Sequence, residues 1–240
     1  MKNVICNIPH AGLLIPEFIL EDFIISKEEI IEFAEKIVDK NIDELFKFVP
    51  ASNKVISPIS RVVVDMERYK DDNKEKMAQI GMGLFYTHDD TGKPIRTQGK
   101  TYPICLGFYN SYHERLEQLI SNSLRKNNSC YILDCHSFHE GLTYTGYEPS
   151  NFPDICLGYN EPIPHKEIYQ IADLFKHNGY SVDYNTPFSG SILPEKFLNN
   201  KKVKSIMLEI NRKAYINSNE DFNKIQKLCK EVVGILSTSY

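Results

Sequence analysis

The feature that most constrains this chain is an alternation. Short runs rich in Val, Ile and Tyr, each bounded by polar residues, Gly or Pro, are separated by longer stretches of helical period. Such a pattern predicts an α/β layered domain with a mixed, largely parallel sheet flanked by helices. The runs read as strands are Val4 to Ile8, Lys54 to Ile56, Arg61 to Met66, Cys130 to Cys135, Ile155 to Gly158, Tyr180 to Asp183 and Ser205 to Ile210. Four helices fit between or after them. The first starts from Ser26, whose hydroxyl can cap while Glu29 reaches back, and carries the stripe Ile30, Phe33, Ile37, Ile42, Leu45, Phe46. The second carries Tyr112, Leu116, Leu119 and Ile120, and the third carries Ile168, Ile171, Ala172 and Phe175 and stops near Gly179. The last starts near Ser218 and repeats Phe222, Ile225, Leu228, Val232 and Leu236. Two aperiodic stretches, Tyr69 to Lys76 and Tyr86 to Pro103, read equally as surface loops or as a lid over a site.

With 240 residues and neither repeat nor linker, one domain spanning 1–240 is expected. A chain of that size buries about 70 to 75% of its unfolded surface without disulfide staples. It carries 28 basic against 32 acidic residues and no basic block to track a phosphate backbone, which argues against nucleic acid as a partner. No apolar run approaches the roughly 18 to 20 residues that span a bilayer, and the first residues read as a strand rather than a secretion signal. The six cysteines, at positions 6, 105, 130, 135, 156 and 229, follow no CxxC pattern and suit free thiols in a reducing cytoplasm. Neither a P-loop nor a Gly-x-Gly-x-x-Gly string is present, so no nucleotide cofactor is implied.

Ligands of open α/β sheets bind outside the carboxyl ends of the strands. There the sequence places Pro9-His10-Ala11-Gly12 after the first strand, Asp65 on the third, Asp134-Cys135-His136-Ser137 on the fourth and Glu209 on the last. Catalytic zinc takes three ligands from His, Asp and Glu and leaves a position for water; His10, Asp65 and His136 make such a set. Glu209 is then the free carboxylate that can act as general base and later as proton donor. Cys135 adjoins His136 but points to the opposite strand face, which rules out a direct thiol–imidazole pair.

Six motifs occur in order: Ile8-Pro9-His10-Ala11-Gly12, Ser60-Arg61-Val62-Val63-Val64-Asp65, Asp134-Cys135-His136-Ser137, Pro153-Asp154-Ile155-Cys156-Leu157-Gly158, Asn185-Thr186-Pro187-Phe188-Ser189-Gly190 and Leu208-Glu209-Ile210-Asn211-Arg212. Together they make the chain similar to the N-formylglutamate amidohydrolase family. The resemblance implies a zinc-carboxypeptidase-like (phosphorylase/hydrolase-like) fold, one metal ion, and hydrolysis of the formamide of an N-formyl amino acid, N-formylglutamate foremost. It makes His10 and His136 the imidazole ligands and Glu209 the general acid/base. Asp65 is preferred as the carboxylate ligand over Glu17, because the His-x-x-Glu spacing finds Leu13. Arg68 is placed near the metal or oxyanion, and Arg61, Arg68 and Arg212 are candidates to hold a substrate carboxylate. His113 and Asn185 are further candidates for substrate binding, with helix-cap and turn roles as alternatives, while His88, His139, His165 and His177 read as surface residues. Two positions depart from the family: Glu67 replaces an Asn, and Ser191 replaces a Gly. Zinc is the expected ion, with iron, manganese or cobalt as alternatives. Two rival readings share these residues: a related zinc deacylase or carboxypeptidase with another acyl or peptide substrate, and an inactive member that only binds a carboxylated ligand.

Overall fold

The structure, a computed structural model, describes residues 3–97, 99–141, 152–160 and 166–238. Its strands are β1 (Val4–Ile8), β2 (Lys54–Ile56), β3 (Cys130–Phe138), β4 (Ile155–Gly158), β5 (Val182–Tyr184) and β6 (Val203–Asn211). They form one sheet in the order β2-β1-β3-β6-β4-β5. The first four of that order are parallel, while β4 runs antiparallel to β6 and carries β5 parallel to itself. This is the expected α/β class with a mixed, mostly parallel sheet. Strands β1, β2 and β4 have the bounds read from sequence; β3 and β6 run longer, because they pair with each other without interruption from Cys130 and Val203 to Phe138 and Asn211, through polar residues that sequence pattern alone does not read as strand.

Helices α1 (Lys27–Ile37) and α3 (Tyr102–Asn127) cover one face, packing on Ile5, Cys130, Ile132 and Val203. The other face lies under α2 (Ile42–Leu45), α4 (Lys166–His177) and α5 (Asn219–Thr238), against Cys6, Leu133, Cys135, Leu208 and Ile210. The capping box at Ser26 forms as expected, with the Glu29 N–H donating to Ser26 Oγ and the Ser26 N–H to the Glu29 carboxylate. Gly179 takes its left-handed conformation (φ 88°) just past α4. All six cysteines are buried free thiols.

Two expectations are corrected. The run Arg61 to Met66 is not a strand: Ser60 O accepts from the Val63 and Val64 N–H groups, turning the chain back on itself. The three valines are nonetheless fully buried, since Arg96 Nη1 donates to Val63 O and the Asp65 N–H to Leu84 O, meeting backbone needs without a sheet. The segment before this turn packs so tightly on the loop after β1 that a Cβ on Gly12 would lie 2.3 Å from Pro58. The second correction is that the first helix breaks. Val38 is extended and Asn41 left-handed (φ 60°), so the stripe from Ile30 to Phe46 divides between α1 and α2, whose apolar residues face opposite sides of the sheet.

Leu208 lies in the middle of β6 with no exposed surface, and Leu208→Ala should cost about 2 to 5 kcal/mol in urea unfolding. Ser26→Ala should cost only about 1 kcal/mol by the same measurement, because it removes one exposed cap.

Candidate active site

Parallel pairing brings the functional residues into two rows across the sheet. Asn7 of β1 is in register with Asp134 of β3, and His136 of β3 is in register with Glu209 of β6. All four project on the α1/α3 face, at the carboxyl ends of adjacent strands, and all are buried. His10 arrives from the loop just after β1, its ring centroid 5.1 Å from that of His136.

Asp65 is completely buried and accepts from four groups. His10 Nε2 lies 2.7 Å from Oδ1, which also accepts the Glu67 N–H; Arg61 Nη2 and the Tyr86 hydroxyl reach Oδ2 at 2.9 and 2.7 Å. Burial would raise its pKa, but the charges of Arg68, His10 and Arg61 outweigh burial and hold it well below the usual carboxylate range. Asp65 thus sits on Nε2 of His10 with both oxygens engaged, and the carboxylate that lies close to both imidazoles is that of Asp39.

Asp39 lies in the break after α1, its N–H donating to His10 O. Asp39 Oδ2 is 2.9 Å from His136 Nδ1 and 3.8 Å from His10 Nδ1. The His10, Asp39 and His136 ligand atoms all lie within 4.8 Å of one another, a set that could hold one metal ion. The test of fit is His10 Nδ1: it is buried and has no hydrogen-bond partner among the described residues, while its Nε2 is taken by Asp65. Two imidazole nitrogens and one carboxylate oxygen are the donor set that suits zinc.

Glu209 is buried beside His136, and its Oε2 has no partner among the described residues. Burial, with the charges of Asp39 and Glu67 adding to it, pushes its pKa up to about 8. Glu67 points inward: Oε2 is 2.9 Å from His136 Nε2, and Oε1 accepts from Asn7 Nδ2 at 3.1 Å.

The remaining sequence candidates divide. Arg61 and Arg68 lie beside the centre, with Arg61 Nη1 3.9 Å from Asp39 Oδ1 and Arg68 Nη2 3.7 Å from Asp65 Oδ2. Arg212 is turned away from Glu209, its guanidinium donating to Lys36 O and Val38 O and so capping the carboxyl end of α1. Asn185 Oδ1 accepts from the Tyr159 and Gly190 N–H groups, and His113 Nε2 is bonded to Met66 O at 2.8 Å. Both therefore hold backbone. Glu17 is exposed at the start of a short 3-10 helix, outside the cluster. His88 and His139 are part-buried and His177 is exposed; His165 lies outside the described residues. Of the two aperiodic stretches, the second is anchored in the core by buried Tyr86 and Arg96, and the first is tied at Tyr69 by the Glu75 carboxylate.

Residues 2–216 match the family model described as N-formylglutamate amidohydrolase. The chain belongs to the N-formylglutamate amidohydrolase family. The fold agrees with that of a solved N-formylglutamate amidohydrolase from Ralstonia eutropha, at TM-score 0.79 and 19% identity, covering 96% of this chain and 91% of that one. It also agrees with a gene product of Agrobacterium tumefaciens, at TM-score 0.73 and 15% identity over 98% and 91% of the two chains. No curated protein matches the sequence. In this amidohydrolase-family chain the motif ending in Asp65 thus supports the imidazole delivered by the Pro-His-Ala-Gly motif. Asp65→Ala should destabilise the protein by about 3 to 5 kcal/mol in chemical unfolding, because it removes the fully buried carboxylate that His10, Arg61 and Tyr86 all meet.

Proposed function

We propose that the chain is a metal-dependent hydrolase, with zinc as its ion, that cleaves the formamide of an N-formyl amino acid, N-formylglutamate foremost, to formate and the amino acid. The observation that carries this is the convergence of His10 Nδ1, His136 Nδ1 and Asp39 Oδ2, with each Nε2 held by a carboxylate. Such a second shell is what orients imidazoles toward a metal. A divalent ion bound there supplies Lewis acidity, polarising the formyl oxygen and lowering the pKa of a water toward about 7.

The chain's own groups do the rest. Glu209 Oε2, buried and unpartnered, takes a proton from the attacking water and returns it to the departing amine nitrogen. Arg61, 13% exposed and held by Asp65 and Tyr86, is the group to face the developing oxyanion. Arg68, 15% exposed, has its Nε on Met82 O and lies 3.7 Å from Asp65 and 4.0 Å from Glu75, longer contacts than those Arg61 makes, and it is the better candidate to hold the substrate carboxylate. The partner is a small N-acyl amino acid, and none of the described helices is long and apolar enough to cross a membrane.

Metal analysis of the purified protein, with formate release from N-formylglutamate before and after chelation, tests this reading. One zinc per chain and chelator-sensitive release are expected. Zinc without formate would move the substrate to another acyl or peptide amide, and no metal after reconstitution would overturn the site. Glu209→Gln should keep the metal and lower turnover by about a hundredfold or more. Asp39→Ala should lose the metal, whereas Asp65→Ala, one bond removed, should weaken its binding by about 10- to 100-fold.

A further inference from the structure

We infer that Glu67 is a positioning residue for the metal centre: its carboxylate orients His136 through Nε2 and so sets how tightly the ion is held. The inference rests on the metal reading above and adds a residue to it.

The geometry is a chain of short contacts. Asp65 Oδ1 accepts the Glu67 N–H at 2.9 Å, fixing the backbone from which the side chain enters the site. Glu67 Oε2 lies 2.9 Å from His136 Nε2, and Oε1 accepts from Asn7 Nδ2. Asn7 is itself held by the Tyr112 hydroxyl, which donates to Asn7 Oδ1 at 2.6 Å. Asp134 Oδ1 shares the same imidazole nitrogen at 3.1 Å and also accepts from Asn7 Nδ2 at 2.8 Å. One turn, Asp65 to Glu67, therefore presents a carboxylate to the far nitrogen of each imidazole: Asp65 to His10 and Glu67 to His136.

Glu67, Asp134 and His136 could by distance hold a cation of their own. The hydrogen bonds decide otherwise. Both carboxylates of that set already accept from the Asn7 amide, on Glu67 Oε1 and on Asp134 Oδ1. In the other set His10 Nδ1 is buried and unpartnered among the described residues. The Glu67 group thus holds His136 by Nε2 and leaves its Nδ1 on the side of Asp39 Oδ2, where an ion would replace the proton between them.

The test compares wild type, Glu67→Gln and Glu67→Ala for zinc affinity by competition with a chelating dye, and for KM and kcat on N-formylglutamate. Zinc affinity should fall about 10- to 100-fold in the Ala variant, with KM changed by less than about twofold. The Gln variant should fall between, since it keeps an acceptor oxygen at only one of the two positions, Oε1 toward Asn7 and Oε2 toward His136, and puts an NH₂ at the other. This near-isosteric variant keeps the comparison valid where the Ala variant does not fold. A raised KM at unchanged zinc affinity would place Glu67 against substrate and overturn the inference, as would equal affinities in all three proteins. Zinc binding without formate release would overturn only the substrate reading, leaving the affinity order to decide Glu67. A wild type that takes up no zinc would overturn the metal reading itself, and this assignment with it.

Discussion

The structure around the site depends on one buried carboxylate. Asp65 has no exposed surface, and a bare charge there would cost several kcal/mol. It is retained because two arginines, an imidazole, a tyrosine hydroxyl and a backbone N–H surround it. Each of those contacts leads elsewhere. Through His10 Nε2 it fixes an imidazole whose Nδ1 faces Asp39, through the Glu67 N–H it aims a second carboxylate at His136, and through Tyr86 it pins the stretch that follows. Replacing the set by an apolar core would preserve packing and lose the geometry.

Asp39 depends on a different constraint, the end of a helix. The last carbonyls of an α-helix lack intrahelical donors. Here Arg212 reaches across from the end of β6 to satisfy Lys36 O and Val38 O, and the Tyr215 hydroxyl donates to Lys40 O at 2.5 Å. The chain can therefore leave the helix at Val38 and place a carboxylate between two imidazoles. Arg212, a candidate for gripping substrate on charge alone, serves the centre by holding the backbone that carries Asp39.

How much of this was legible in the sequence differs by residue. His10, His136 and Glu209 follow from strand-end position, because parallel strands with period-two side chains deliver residues to one end and one face. Asp39 was hidden inside an apolar stripe. Its one signal is the five-residue step from Ile37 to Ile42, which a continuous helix of 3.6-residue period does not accommodate on one face. Glu67 was visible as a departure from a motif, but whether it faced solvent or the pocket depended on a turn that Val62, Val63 and Val64 disguised as a strand.

The sequence by itself determined the layered α/β class, the strands that carry His136 and Glu209 and the one that His10 follows, and the family, since each rests on local periodicity or on motifs read in order. Only the tertiary structure decided which carboxylate meets which nitrogen. Asp39 and His136 are far apart in the chain, as are Glu67 and Asn7, and their pairing follows from sheet order, a helix end and a buried turn. Hydrogen-bond partners of buried charges are chosen by that three-dimensional closure, because every donor and acceptor taken out of water must find a partner where the fold has put one.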